Sequence, residues 1–292
     1  MAESNRWKNI VKCYPYEDKR LLSWKPPFLV QIKYDGDRCV GRQLQNGNYM
    51  ILSSEENPFF CLPHINEALD KLGITWVPDG ELYSHELFLE GMASTVYKSG
   101  HDFIHSICSR EVNIHPRYRE MQFHIFDFQD LTITQSERML RLNSMADAIK
   151  PPLFLAPYWI CETIDEVKKV YDEVIEQKYE GIIIRNLFAP YEINKRSRWI
   201  MKFKPKRVDN YKIVGWNEEI SKDGIPKRRI GSIILSSQEG DFFSVSAGLD
   251  DEEREKYWLC RDDLAGHEAI VHYQHLTNKG IPKGCFDLEI ML

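Results

Sequence analysis

The sequence predicts a mixed α+β chain in two parts, and three observations carry that expectation. Turn dipeptides at Asp35-Gly36 and Asn46-Gly47, each flanked by alternating apolar residues, open the chain with hairpins. Helical spacing then alternates with short strands as far as Pro205. Beyond Pro205 the pattern changes to five short strands with one helix. A chain of 292 residues is long for a single core, and a division into 1–206 and 207–292 follows.

The elements follow from local signals in order. Strands are expected at 28–33, 38–44 and 49–53, each ended by a turn dipeptide or a polar run. A helix over 64–72 precedes a strand over 74–83, and 85–119 reads as helical and irregular. A strand over 121–128 leads to a helix over 136–149, stopped by Pro151-Pro152. A strand over 153–160 is followed by an amphipathic helix over 163–178, where Thr163 and Glu166 have the spacing of a capping box. Strands at 181–185 and 199–204 close the first part. The second part has strands at 211–216, 229–235, 242–247, 268–275 and 285–291, with a helix at 250–259. That content suits a small Greek-key barrel such as the OB-fold.

Composition sets bounds on function. With 43% apolar and 28% charged residues the chain reads as an ordinary soluble protein, with no apolar run long enough to span a bilayer. No secretory signal opens it. Seven cysteines, odd in number and scattered, fit a reduced, cytoplasmic setting better than a disulfide framework or a zinc ribbon. A net charge of −6 disfavours a uniformly basic nucleic-acid binder but leaves room for a local basic stripe. His101 and His105 share a helix face; without a third ligand nearby they read as surface histidines.

Five segments carry chemistry together. Lys33 ends a strand against Asp35-Gly36, and a tight hairpin there would set Lys33 opposite Arg38. A neighbouring cation and partial burial would then both lower the lysine pKa, one route to a nucleophilic amine. Asp79 and Glu81 fall on one face of a strand, which favours a metal, a sugar hydroxyl or a cation between them. The run from Phe123 to Asp127 supplies aromatics able to stack on a base. Glu180 stands at the mouth of an apolar strand. Lys202 and Lys204 share a face, and a phosphate chain between them would relieve their repulsion.

In this order the segments resemble the motifs of the ATP-dependent DNA ligases, of the covalent nucleotidyltransferase superfamily. Lys33-Tyr34-Asp35-Gly36-Asp37-Arg38 is similar to the nucleotidyl-lysine motif, and Asp79-Gly80-Glu81-Leu82 to the third motif. Phe123 to Asp127, Glu180 to Arg185 and Lys202-Phe203-Lys204 match the segments that follow. The second part resembles the ligase OB module through Arg229-Ile230-Gly231-Ser232, Tyr273-Gln274-His275-Leu276-Thr277 and Gly280-Ile281-Pro282.

The resemblance implies a nucleotidyltransferase domain of ATP-grasp-like antiparallel sheets with flanking helices, then an OB-fold barrel. It implies that Lys33 attacks the α-phosphate of ATP, with Gln31 and Ile32 at the nucleotide and Phe126 stacked on the base. Arg38 and Glu81 would hold the ribose and the nick phosphate, and Lys202 and Lys204 the phosphates. Asp35 and Glu180 would lie near Mg2+, for which Mn2+ can substitute. The implied partner is nicked double-stranded DNA, bound by a monomer of the compact viral or phage type.

Three departures stand beside it. Ser53-Ser54-Glu55-Glu56 occupies a place where the family usually has an arginine. The final segment, 280–289, offers only Lys283 where the family motif is rich in arginine, and Glu289 has the opposite sign. The expected loop at 217–228 is short, although Lys222, Lys227, Arg228 and Arg229 make it a candidate phosphate-contacting edge. An RNA ligase or a capping guanylyltransferase would share the lysine motif. A non-catalytic nick-binding clamp would share the DNA surface.

Overall fold

The computed structural model describes residues 8–109, 114–273, 275–277 and 280–291. The chain divides into two compact units, Met1–Lys204 and Pro205–Leu292.

The first unit begins with β1 (Val11–Pro15), α1 (Asp18–Leu22), β2 (Phe28–Lys33), β3 (Asp37–Gln43) and β4 (Tyr49–Ser53). Then come α2 (Pro63–Leu72), β5 (Val77–Tyr83), α3 (His85–Ala93), α4 (Gly100–Cys108) and β6 (Gln122–Gln129). It ends with α5 (Gln135–Ser144), β7 (Leu153–Leu155), β8 (Tyr158–Cys161), α6 (Ile164–Glu176), β9 (Gly181–Asn186) and β10 (Lys195–Phe203). Two five-stranded sheets result, ordered β1-β10-β9-β2-β8 and β4-β3-β5-β6-β7. They are antiparallel except for the parallel pairs β1/β10 and β6/β7. One apolar core, including Leu29, Val30, Leu82, Phe123, Ile125 and Ile184, joins strands of both sheets.

Asp35-Gly36 is not a hairpin turn. Strand β2 pairs with β8 and β9, whereas β3 pairs with β4 and β5. Phe28 to Ile32 are all buried, so β2 needs neighbours on both sides and β8 and β9 fill them. The chain therefore steps between sheets at 34–36, and Lys33 never faces Arg38 across a ladder. The strand expected over 153–160 likewise breaks at Ala156-Pro157, where β7 leaves one sheet and β8 enters the other. The Asn46-Gly47 hairpin forms as expected, joining β3 to β4. At α6 only half of the expected capping box exists. Thr163 Oγ1 accepts from the Glu166 N–H at 3.2 Å, but the Glu166 carboxylate accepts from the Glu162 N–H instead.

The second unit contains β11 (Arg207–Ile220), β12 (Pro226–Ser236), β13 (Phe242–Val245), α7 (Asp251–Leu259), β14 (Glu268–Tyr273), β15 (His275–Leu276), β16 (Pro282–Lys283) and β17 (Asp287–Met291). Its main sheet is antiparallel, ordered β13-β12-β11-β14-β17, with β15 and β16 as a separate short ladder. No described pairing joins β13 to β17, so the sheet is open rather than hydrogen-bonded into a closed barrel. The expected loop at 217–228 is mostly strand: β11 and β12 stay paired out to Ile220 and Pro226, around a tight turn. Gln274 lies outside the described residues. Among the described residues no helix is long and apolar enough to cross a membrane.

Candidate active site

The step from β2 to β3 places Lys33 at the end of the first sheet, paired with Gly181 at the start of β9. Glu180, one residue earlier, turns its carboxylate to the lysine. Its Oε2 accepts from Lys33 Nζ and its Oε1 from Lys204 Nζ. Burial would push the Glu180 carboxyl up, but Lys33 and Lys204 together outweigh it and hold the group below the usual carboxylate range.

This geometry reverses the electrostatics expected for Lys33. Burial does act to lower its pKa, yet Glu180 first, then Glu81 and Asp35, raise it above the ordinary lysine value. The Lys33 ammonium is therefore held charged in the ligand-free protein. Lys202 is driven the other way, lowered by burial and by repulsion from Lys204 and Lys33. Among the described residues it has no carboxylate partner of its own, and it adds uncompensated positive charge beside the nucleophile.

Arg38 and Glu81 are cross-strand partners in the second sheet. The guanidinium reaches back to Asp79, with Nε 3.1 Å from Oδ1 and Nη2 2.6 Å from Oδ2, and donates to the Val11 carbonyl at 2.7 Å. Tyr191 Oη donates to Asp79 Oδ2 at 2.6 Å. Asp79 is thus the buried anchor of Arg38. Glu81 is left without a hydrogen bond or ion pair among the described residues. Burial pushes its carboxyl up to about 8, with Lys33 and Arg38 opposing and Glu180 and Asp37 adding to the rise.

Phe126 owes its position to a β-bulge. Asp79 pairs with Asp127 and Gly80 with Ile125, so Phe126 is the extra residue on β6. Two guanidiniums approach its ring, Arg38 at 5.3 Å and Arg185 at 5.2 Å from the centroid. Gln31 is buried, donating to the Phe126 carbonyl at 2.9 Å and accepting from Arg185 Nε at 2.8 Å. Both ends of its amide are therefore engaged inside the protein, which fixes its orientation and leaves one N–H and one oxygen lone pair for a base contact. Ile32 is buried beside it. Behind them, Asp127 receives both Arg185 and Arg138 at 3.2 and 2.7 Å.

His101 and His105 are not isolated. Both face Asp37, at 3.7 Å from His101 Nε2 and 3.0 Å from His105 Nδ1. Asp37 raises the His101 pKa against burial, helped by Asp35 and Glu81. Between these groups a cleft of about 500 Å³ is lined by Gly36, Arg38, Ser53, Glu81 and His105 among others. A second cleft of about 560 Å³, beside Trp24 and Trp199, holds one lysine, Lys25, and no carboxylate, so the ionisable chemistry lies with the first.

The structure thus brings Lys33, Glu180, Lys202, Lys204, Glu81 and Asp35 into one electrostatic cluster, with Arg38 and Phe126 beside it. Sequence reasoning missed Arg185 and Tyr191. A cation was among the partners expected for Asp79 and Glu81, and Asp79 meets Arg38; Tyr191 carried no signal. Asp35, Glu81 and Glu180 all act electrostatically on Lys33 and offer the oxygen donors that a hard divalent cation takes; in the ligand-free arrangement their carboxylates do not gather into one coordination sphere. In the second unit, Lys227 and Arg229 are paired with Glu219, at 2.7 and 2.5 Å, which leaves less free charge on that edge than the sequence suggested.

The family described as ATP dependent DNA ligase domain matches residues 15–204. The DNA ligase of African swine fever virus is 25% identical over 295 residues, covering 94% of this chain and 65% of that protein. The DNA ligase of Enterobacteria phage T6 is 26% identical over 280 residues, covering 81% and 56%. The chain thus spans just under two thirds of the length of the viral relatives it matches. In fold it resembles a Lig E DNA ligase, with a TM-score of 0.76 at 16% identity over 97% of this chain and 99% of the other. The bacteriophage T7 ATP-dependent ligase, solved with ATP, follows at a TM-score of 0.53 and 13% identity, covering 97% and 98%. The match to more than half of its residues settles the family: this chain belongs to the ATP-dependent DNA ligase domain family.

Proposed function

We propose that the protein is an ATP-dependent DNA ligase that seals 3′-hydroxyl/5′-phosphate nicks in duplex DNA. The observation that carries this reading is the enclosure of Lys33 by Glu180, Glu81 and Asp35, with Lys202 and Lys204 alongside. In the first step Lys33 Nζ attacks the α-phosphorus of ATP, the α–β phosphoanhydride bond breaks, and pyrophosphate leaves. A 5′-phosphate oxygen then displaces Lys33 from AMP, and the 3′-hydroxyl displaces AMP to close the strand.

The residues divide this work by charge and shape. Lys202 and Lys204 neutralise phosphate charge as it moves to the leaving group. Phe126 offers a face to the base, and Arg38, fixed by Asp79, holds ribose or phosphate with Glu81. Asp35 and Glu180 would hold Mg2+ or Mn2+. When bound, such an ion supplies charge neutralisation at the phosphates. Phosphates entering between Lys202 and Lys204 compete with Glu180 for Lys204, and the ion pair between Lys33 and Glu180 must itself open before the amine attacks. We read the second unit as an OB-type module, on the strength of its five-stranded antiparallel sheet with one helix, acting on DNA as part of a monomer.

Intact-mass measurement after incubation with ATP and Mg2+ tests the proposal. An AMP adduct in the wild type that is absent from Lys33→Ala is the expected result. No adduct, together with no sealing of a pre-adenylated nick, rejects it. A non-catalytic clamp is the second reading, favoured by the acidic Asp287 and Glu289 on β17, and it requires nick binding without either reaction. DNA-only, RNA-only and hybrid nicks assayed side by side separate a DNA ligase from an RNA ligase.

A further inference from the structure

The acidic end of the chain has its own geometry. In the ladder of β14 and β17, His272 pairs directly with Asp287. Period two places Glu289 on the same face as Asp287. The donor atoms of the three residues all lie within 4.8 Å of one another, with His272 Nε2 3.7 Å from Glu289 Oε1. This is the solvent-facing side of the sheet, because Ala269, Val271, Tyr273 and Leu288, which alternate with these residues, are buried.

Among the described residues no lysine or arginine forms an ion pair with Asp287 or Glu289, and Glu289 has His272 beside it. The neighbouring strand contributes Val208 opposite His272 and Asn210 opposite Ile270, neither of them charged. Two adjacent carboxylates repel unless a cation joins them. The backbone beneath is fixed: the Phe286 N–H donates to the His272 carbonyl at 3.0 Å, and Asp287 Oδ1 accepts from the Leu288 N–H at 3.1 Å. Asp287 Oδ2, His272 Nε2 and the Glu289 carboxylate remain available as ligands.

We propose that His272, Asp287 and Glu289 form a binding site for a divalent transition cation, Zn2+ or Mn2+, separate from the lysine cluster. One imidazole nitrogen with two carboxylates selects these ions over Mg2+ and Ca2+, which take oxygen ligands almost exclusively. Three protein ligands leave at least one coordination position to water. The negative charge at the position of Glu289, unexpected beside the family motif, becomes a ligand set on this account.

Metal binding to the intact chain tests the site. Zn2+ binding is measured by competition with a chromophoric chelator, and Mn2+ binding by loss of its free-ion EPR signal. The variants are H272A and E289Q, both solvent-facing, with circular dichroism to check the fold. The expected result is one bound equivalent fewer, or affinity weakened about tenfold or more, in each variant, while a double variant of His101 and His105 keeps that equivalent. Tenfold excess Mg2+ leaves it in place. Unchanged stoichiometry and affinity in H272A and E289Q overturn the proposal, as does full displacement by Mg2+. Neither outcome bears on adduct formation at Lys33.

Discussion

Lys33 and Glu180 form an ion pair in which the carboxylate also receives Lys204. A nucleophilic amine must lose its proton, yet this contact holds the proton on. The resting site is therefore restrained, and the restraint resides chiefly in one carboxylate. In Glu180→Gln the largest of the charges that raise the lysine is gone and burial counts for more, so the Lys33 pKa falls. Competitive acylation of the ligand-free protein across pH 7 to 10, with Lys33 quantified by peptide mass, reads this directly. Lys33 in the variant should react at lower pH than in the wild type. Identical profiles would show that Glu180 does not control the lysine.

Glu81 gives the opposite kind of prediction, about stability. Its folded pKa of about 8 lies above the ordinary 4.5, so the folded chain keeps a proton that the unfolded chain releases. By linkage, stability falls as pH rises between those two values. Glu81→Gln cannot ionise and escapes the loss. The variant should match the wild type near pH 5 and exceed it in Tm near pH 8, by roughly 2 to 4 °C for each kcal/mol recovered. A Tm difference that does not grow with pH would refute the account. Added Mg2+ should narrow the gap in the wild type if the cation sits among these carboxylates.

Asp79 anchors Arg38 from full burial, with Tyr191 as its second donor. Removing the fully buried carboxylate leaves the half-buried Arg38 guanidinium without its counter-ion, a change that costs up to about 3 to 5 kcal/mol. Removing the tyrosine hydroxyl takes away one hydrogen bond to a charged group, about 1.5 to 3 kcal/mol. Denaturant unfolding of Asp79→Ala and Tyr191→Phe should show that order. If Asp79→Ala is the milder of the two, the carboxylate is not the anchor.

Much of this was legible in the residues. The order lysine, acid pair, aromatic, acid and lysine pair picked out residues that the structure brings together, because each lies on a strand or one residue from its end, where apolar neighbours fix its direction. The partner of Lys33 was not legible. Turn dipeptides report local geometry, and Asp35-Gly36 serves a step between sheets as well as it serves a hairpin. With the hairpin went the supposed Arg38 contact, and with it the sign of the lysine shift. The Phe126 bulge and the Tyr191 bond to Asp79 depend on register and on a separation of 112 residues, which no local pattern encodes.

Gly181 links fold to chemistry most tightly. It has φ +151°, and a Cβ there would lie 2.1 Å from the Phe203 carbonyl oxygen on β10. That close approach lets Glu180, the preceding residue, meet both Lys33 on β2 and Lys204 just beyond β10. Gly181→Ala must push the strands apart at this point. A shift of about 1 Å in a positioned group can reduce a rate 100-fold, and adduct formation should fall by about that factor, with lower Tm. Gly47→Ala is the control. It also has positive φ, +89°, but nothing lies within 4 Å of its Cβ, so it should lose stability while forming adduct at the wild-type rate per folded molecule. Equal effects of the two substitutions on adduct formation would mean that the close contact at Gly181 does not position Glu180.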